Sequence, residues 1–442
     1  VIKFTMTPHK YALDEITQRA ESLNKEKVRL FIDLRNSIPV FFDENATKIL
    51  LKDPKLSILQ FVESVISFMD YITHVINSEV EFVFFYEKGR SEYHKALNKE
   101  YKAHRGGSYL ILSPDEVEQA KDLNIKCFDA LYSMFSEFTG VSVYKLNYFE
   151  ADFIPHYIIN NVDKDNDNIT KYLNVILSND KDMFQSIAKD GSTICLKKEY
   201  RKKQTTIVDF DNMYIELIKD KEATIDSDKN FIADILSASG DEADGVKGIK
   251  GVGYKTAFKI FKELNLRITE IFEKYETVEA LFEEHNELPT RTKTAIKKLY
   301  DNTDQLDINL KQVDYDIIKE NIPFKTRKGI LEVYENSHKD TIGNIESIVD
   351  DMLLFESDYS GVLTYLFRNK TNFSELIDLY ESKKGNKSSV FDNRSSNYNN
   401  NFATSNATDS VLFGQSNIKS NGTTDSVLFS QSNIDPNLAA LL

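Results

Sequence analysis

The stretch Ser239-Gly240-Asp241-Glu242-Ala243-Asp244-Gly245-Val246-Lys247-Gly248-Ile249-Lys250-Gly251-Val252-Gly253-Tyr254-Lys255-Thr256-Ala257 interrupts an otherwise helical text with closely spaced glycines. Gly248, Gly251 and Gly253 permit a hairpin whose backbone N–H groups face a phosphate, and a helix opening at Tyr254 aims its positive end at the same anion. A lone G-x-x-G-x-G is often an ordinary turn. Two features set this one apart: the carboxylate pair Asp241 and Asp244 just before it, and Lys247, Lys250, Lys255, Lys259 and Lys262, with no acid among them until Glu263. The segment pairs a phosphate grip with acids.

Upstream, short β-rich runs at residues 28–32, 81–86, 141–146 and 172–177 alternate with helical patterns, among them 56–76 and a helix opened by the capping box Ser113-Pro114-Asp115-Glu116. Helices are also expected at 11–27, at 150–160 and, briefly, at 182–188. This is an α/β arrangement, a parallel doubly wound sheet, which binds ligands at the carboxyl ends of its strands. Asp33, Glu87, Glu150, Asp152, Asp180 and Asp182 fall there. Any one of them is an ordinary cap or loop acid. Converging on one sheet edge, they repel one another unless a cation intervenes. The chain has only Cys127 and Cys195, so a metal site would be built from oxygen. Such a donor set suits Mg2+ or Mn2+, as two ions about 3.5–4 Å apart arranged for in-line attack on a phosphodiester.

The 442 residues are 41% apolar and 28% charged, with net charge −15, a globular composition on an acidic body. An acidic chain argues against general polyanion binding. The lysines are not evenly spread, however, and Lys197, Lys198, Arg201, Lys202 and Lys203 form a second basic cluster around Glu199. No apolar run approaches a membrane span and residues 1–21 lack a signal-peptide layout, so a soluble, cytoplasmic protein is expected. The expected organisation is a helical extension (1–27), an α/β domain with the acidic edge (28–229), a helical lobe opening with the glycine segment (230–384), and an Asn/Ser-rich tail (385–442). The tail is too polar to offset its ordering entropy and is expected to be disordered. It repeats Asp-Ser-Val-Leu-Phe at 409–413 and 425–429, so Leu412, Phe413, Leu428 and Phe429 are candidate docking anchors, an unconstrained duplication being the bland alternative.

These motifs resemble the 5′-nuclease superfamily: flap endonucleases, the 5′-nuclease domains of bacterial DNA polymerases and bacteriophage 5′-exonuclease/ribonuclease H proteins. The resemblance runs from about residue 28 to at least 257. Ser239 to Ala257 is similar to the family's helix–three-turn–helix, which implies that Gly248, Lys250, Gly251, Gly253, Lys255 and Thr256 grip duplex phosphates and that backbone carbonyls hold a monovalent cation such as K+. Phe31-Ile32-Asp33, Tyr148-Phe149-Glu150-Ala151-Asp152 and Ser178-Asn179-Asp180-Lys181-Asp182 through Gln185 resemble the metal-site blocks. Tyr101-Lys102-Ala103-His104-Arg105 resembles the gateway motif at the base of a helical arch, which implies that Lys102 and Arg105 hold the scissile phosphate. The chain departs from the family at Glu87, where Asp is usual, and at Phe153, the fourth place of E-A-D-D. His94 replaces an arch arginine, and an isolated surface histidine is the plain reading there.

The resemblance implies a two-metal 5′-3′ exonuclease or flap endonuclease, with ribonuclease H activity on RNA–DNA hybrids, acting in replication or repair. Bacteriophage is the favoured source, which would place it in the host cytoplasm. The tail's Leu-Phe endings loosely resemble sliding-clamp peptides, and a single-stranded-DNA-binding protein is an equal candidate partner. Two rivals remain: a PIN-type single-strand ribonuclease, which leaves the glycine hairpin without a purpose, and a DNA-structure-binding scaffold whose catalysis has decayed.

Overall fold

Lys27-Val28-Arg29-Leu30-Phe31-Ile32-Asp33 is buried from its second residue onward, as a central strand covered on both faces must be. In the computed structural model, which describes residues 7–37, 44–102, 112–135, 140–166, 168, 170–199, 204–338 and 382, this strand is β1. It is followed by β2 (Glu79–Lys88), β3 (Val141–Asn147), β4 (Tyr172–Leu177), β5 (Thr193–Glu199) and β6 (Gln204–Val208). They form one sheet in the order β3-β2-β1-β4-β5-β6. The pairs β1–β2, β1–β4, β2–β3 and β4–β5 are parallel, as expected. The sequence reading stops at residue 177, so β5 and β6 are additions, and β6 runs antiparallel to β5. The sheet is therefore mostly parallel with one antiparallel edge.

Alternation along the strands divides the core. Val28, Leu30 and Ile32 of β1 and Phe82, Phe84 and Tyr86 of β2 pack with helices Lys10–Ser22, Pro54–Val75 and Pro114–Phe135. Phe31, Val83 and Phe85 face the other way, into a cluster continuous with helices Ile232–Ser239, Tyr254–Leu264, Thr290–Tyr300, Thr303–Val313 and Phe324–Ser337. By parity Asp33 shares the face of Phe31, and Glu87 that of Phe85. Both acids thus lie on the side of the sheet that meets the helical lobe.

The capping box forms as read: Glu116 N–H donates to Ser113 Oγ at 3.2 Å, and Ser113 N–H to Glu116 Oε2 at 2.7 Å. Other boundaries shift. β2 extends through Lys88, so Glu87 lies inside the strand opposite Leu146 rather than beyond it. Glu150 to Phe153 form a turn, and the helix expected from 150 begins at Ile154 and widens into a π segment at Ile158–Val162. The short helix at 182–188 is a 3-10 turn, Lys181–Ser186.

Near the amino-terminal ends of the strands, Arg29 is wholly buried. Its Nε donates to Glu81 at 2.8 Å and its Nη1 to Asp163 at 2.6 Å, with the Tyr172 ring 3.6 Å from the guanidinium. Tyr334 donates to Asp163 at 2.9 Å, fastening the last described long helix to the sheet. This lock sits away from the acidic edge. Arg105, Arg201, Lys202, Lys203 and the whole tail, with Leu412, Phe413, Leu428 and Phe429, lie outside the described residues.

Candidate active site and nucleic-acid interface

Strand ends and the turns after them carry the acids to one place. Asp33 closes β1, where its Oδ1 accepts from Arg35 N–H at 2.9 Å. Asp180 Oδ1 accepts from Asp182 N–H at 3.1 Å, a self-closing turn that fixes the Asp180 carboxylate. Across the sheet edge, Asp241 and Val246 exchange backbone hydrogen bonds at 2.9 and 2.8 Å, which folds the Asp241–Asp244 turn tightly. That turn is pinned to the segment Asn98 to Lys102. Lys102 N–H donates to Asp244 O at 3.1 Å, and Asn98 Nδ2 donates to Gly245 O at 2.9 Å. Gln185, three residues after Asp182, bridges to the lobe by donating to Val313 O at 3.0 Å and accepting from Tyr315 N–H at 3.2 Å.

The carboxylates feel one another. Burial pushes Asp152 well above the usual carboxylate range; Glu150, Asp180 and Glu87 add to this, while Lys102 opposes it. Burial likewise raises Asp182 strongly, reinforced by Asp180, Asp244, Asp152 and Asp241. Glu87 is raised by burial and by Glu150, against Arg35 and Lys102. The Tyr315 hydroxyl lies fully buried beneath these acids and is pushed up by burial, then by Asp152, Asp182 and Asp180.

Among the described residues, no three of these acids are drawn into one ready coordination shell. Cations of the chain take several of them instead: Lys102 Nζ on Glu150 at 2.6 Å, Arg35 Nε on Glu87 at 2.7 Å, and Lys181 Nζ on Asp241 at 2.8 Å. The donor set still fits hard divalent cations. It is all oxygen, it repels itself, and Asp182 Oδ1 is a buried acceptor with no hydrogen-bond partner among the described residues.

The glycine segment forms the expected hairpin, with Ile249 and Val252 plugged into the core and Lys250, Gly251, Gly253 and Lys255 outside. Among the described residues the amides of Lys250, Gly251, Gly253, Tyr254 and Lys255 donate to no backbone carbonyl, which leaves a row of N–H groups at a helix start. The three glycines differ in kind. A β-carbon on Gly248 would lie 2.0 Å from Ser239 O; on Gly251, which has φ +81°, it would lie 2.5 Å from Lys298 Nζ; on Gly253 it would meet nothing within 4 Å.

Sequence reasoning missed Lys298. It comes from helix Thr290–Tyr300, lays its ammonium over the hairpin, and has no ion pair among the described residues. It also missed Arg35, Lys181, Tyr254 and Tyr315 as parts of the site, since only tertiary packing brings them there. Other charges are already engaged. Lys255 pairs with Asp220 at 3.0 Å, Lys197 with Glu216 at 3.3 Å, and Lys198 donates to Thr7 O at 2.6 Å. Lys197 and Lys198 are thus engaged on β5, and the other three cations of that cluster lie outside the described residues. His94 is buried, not a surface histidine: Ser91 Oγ lies 2.8 Å from Nδ1, Gln312 O lies 3.0 Å from Nε2, and Tyr101 stacks on it at 4.4 Å.

No protein-family profile matches the chain. Over 180 residues, 41% of its length, it is 26% identical to DNA polymerase I of Bacillus subtilis strain 168, and it spans 17% of that protein. It is similar in structure to the flap endonuclease of bacteriophage T5 in a pseudo-enzyme–product complex with DNA and metal ions. That match has a TM-score of 0.50 and 16% identity, and covers 70% of this chain and 99% of the other. The fold is that of the 5′-nuclease superfamily, as the resemblance in sequence implies.

Proposed function

We propose that this chain is a divalent-metal-dependent, structure-specific 5′ nuclease that recognises a duplex beside a free 5′ end and hydrolyses a phosphodiester there. The observation that carries this reading is Asp182: a buried carboxylate with an oxygen that has no hydrogen-bond partner among the described residues, raised by burial and then by acids from separate elements, near a turn whose amides donate to no described backbone carbonyl.

Asp33, Glu87, Glu150, Asp152, Asp180, Asp182, Asp241 and Asp244 would hold the ions, Mg2+ with Mn2+ as substitute. When bound, these supply Lewis-acid charge and lower the pKa of a water. Lys102 is held by its backbone to Asp244 and by its ammonium to Glu150, so it stands ready to trade a carboxylate for a phosphate. With Arg105 it would offset charge developing on the scissile group. The hairpin amides, Lys250, Lys255, Thr256 and Lys298 would fix the duplex without reading sequence, and K+ would sit on the hairpin carbonyls. RNA–DNA hybrids, a ribonuclease H activity, docking of the tail to a sliding clamp or single-stranded-DNA-binding protein, and action in the cytoplasm belong to the same proposal.

One observation favours the scaffold reading instead: Arg35 already neutralises Glu87. The experiment that separates the two is cleavage of a labelled 5′-flap oligonucleotide in Mg2+, alongside duplex binding in Ca2+. Binding in Ca2+ with no Mg2+-dependent cleavage selects the scaffold.

A further inference from the structure

Lys181 stands between two acids of the third metal-site block, yet its ammonium turns away from both and lies 2.8 Å from Asp241 Oδ2, across the sheet edge. It also donates to Tyr254 Oη at 2.5 Å and sits 5.0 Å from that ring's centre. Tyr254 is the first residue of the helix that follows the hairpin, and its hydroxyl donates to Gly240 O at 3.4 Å. One lysine thus joins three things: the Asp180–Asp182 turn, an acid from the lobe, and the start of the phosphate-facing helix.

The Asp241 side chain is only 10% exposed and that of Lys181 32%. A charge so covered needs a partner. We propose that Lys181 is the resident counter-ion of Asp241, occupying the place of a divalent cation until that cation arrives, and that Tyr254 holds it there. An incoming ion must displace the ammonium before it can use Asp241, so Lys181 weakens and times the filling of that position. The displaced ammonium also leaves Tyr254, so filling the metal position alters a contact at the hairpin helix. The lysine is a positioning residue, and the assignment rests on the nuclease reading.

The test is Mn2+ binding to the full chain, followed by electron paramagnetic resonance without DNA and without turnover. Lys181→Met and Lys181→Gln should each tighten one Mn2+ site by roughly tenfold, the scale of one lost charge-assisted contact. Tyr254→Phe, which frees the ammonium without removing it, should tighten the site by a smaller factor. Lys189→Met removes an equal charge from an exposed lysine paired with Asp228 and should leave binding unchanged. Asp241→Asn should abolish the tightening when combined with Lys181→Met. Thermal melting shows which variants are folded, and Tyr254→Phe carries the test if both lysine variants unfold. Unchanged or weaker Mn2+ binding in a folded variant overturns the assignment. A wild-type chain that binds no Mn2+ removes the nuclease reading, and this inference with it.

Discussion

Gly248→Ala and Gly253→Ala should separate fold from grip within one hairpin. At Gly248 the added methyl would stand 2.0 Å from Ser239 O, 2.4 Å from Ser239 C and 2.9 Å from Gly240 N, all backbone atoms. Gly240 faces it with φ +78°, and a β-carbon there would lie 2.2 Å from Gly248 N, so neither strand of this close approach can give way cheaply. Relief requires the Asp241–Asp244 turn to move by about an ångström, which puts the cost at the upper end of overpacking, about 3 kcal/mol. For a chain of this size that is a melting-temperature loss of about 3–5 °C. Gly253 has φ −92° and caps the helix. Alanine there loses a fraction of a kcal/mol as a cap and regains about as much in chain entropy, so stability should hold within about 0.5 kcal/mol. Its methyl would instead stand where a phosphate approaches the bare amides. Calorimetric melting and anisotropy of a labelled flap duplex in Ca2+ read the two effects. Gly248→Ala should melt early, and Gly253→Ala should melt normally but bind weakly. A Gly248→Ala protein melting with wild type refutes the packing argument, and undiminished binding by Gly253→Ala refutes the phosphate path.

Asp182→Asn should abolish flap cleavage in Mg2+ while duplex binding in Ca2+ survives; because a carboxyl raised by burial and repulsion costs stability at neutral pH, the metal-free variant should melt higher than wild type. Lys298→Ala should lower the magnitude of the salt slope of duplex binding by about 0.9, as one lost phosphate contact would, whereas an unchanged slope returns Lys298 to a solvated face. Glu81, held down to about 2 by Arg29 against its own burial, contributes stability that is complete above its unfolded value of 4.5 and is lost as pH falls toward 2. Acid titration of the melting temperature should show this, and Glu81→Gln should cost about 1.5–3 kcal/mol at pH 7 by removing one of the two carboxylates on Arg29, Asp163 remaining, without changing Mn2+ binding. Removing residues 385–442 should leave cleavage of a short flap intact but abolish co-purification with a replication partner, a loss that Leu412, Phe413, Leu428 and Phe429 together to Ala should reproduce.

What was legible in the sequence was what the backbone dictates locally. β1 and β4 read as strands because both of their faces are buried, and the acids read as a cluster because parallel topology gathers strand ends on one edge. The glycine hairpin declared itself through residues that only a tight turn needs. β5 was hidden because Lys197 and Lys198 follow only four buried residues, Thr193 to Leu196, and β6 because Gln204, Thr205 and Thr206 give the edge strand a polar start. The counter-cations were hidden for a different reason. A carboxylate is short, so its position follows from its own strand, whereas lysine and arginine place their charge several ångströms from the backbone. Arg35 meets Glu87 across a separation of 52 residues, and Lys181 was visible inside its motif while Asp241, in another lobe, was not. His94 shows the same limit, since burial against Tyr101 and Gln312 depends on a helix from far along the chain. A sequence can therefore show that a site is acidic without showing how that acidity is restrained. Yet that restraint decides which acids are free to take a metal, and among the described residues Asp182 of this edge keeps a buried oxygen with no hydrogen-bond partner.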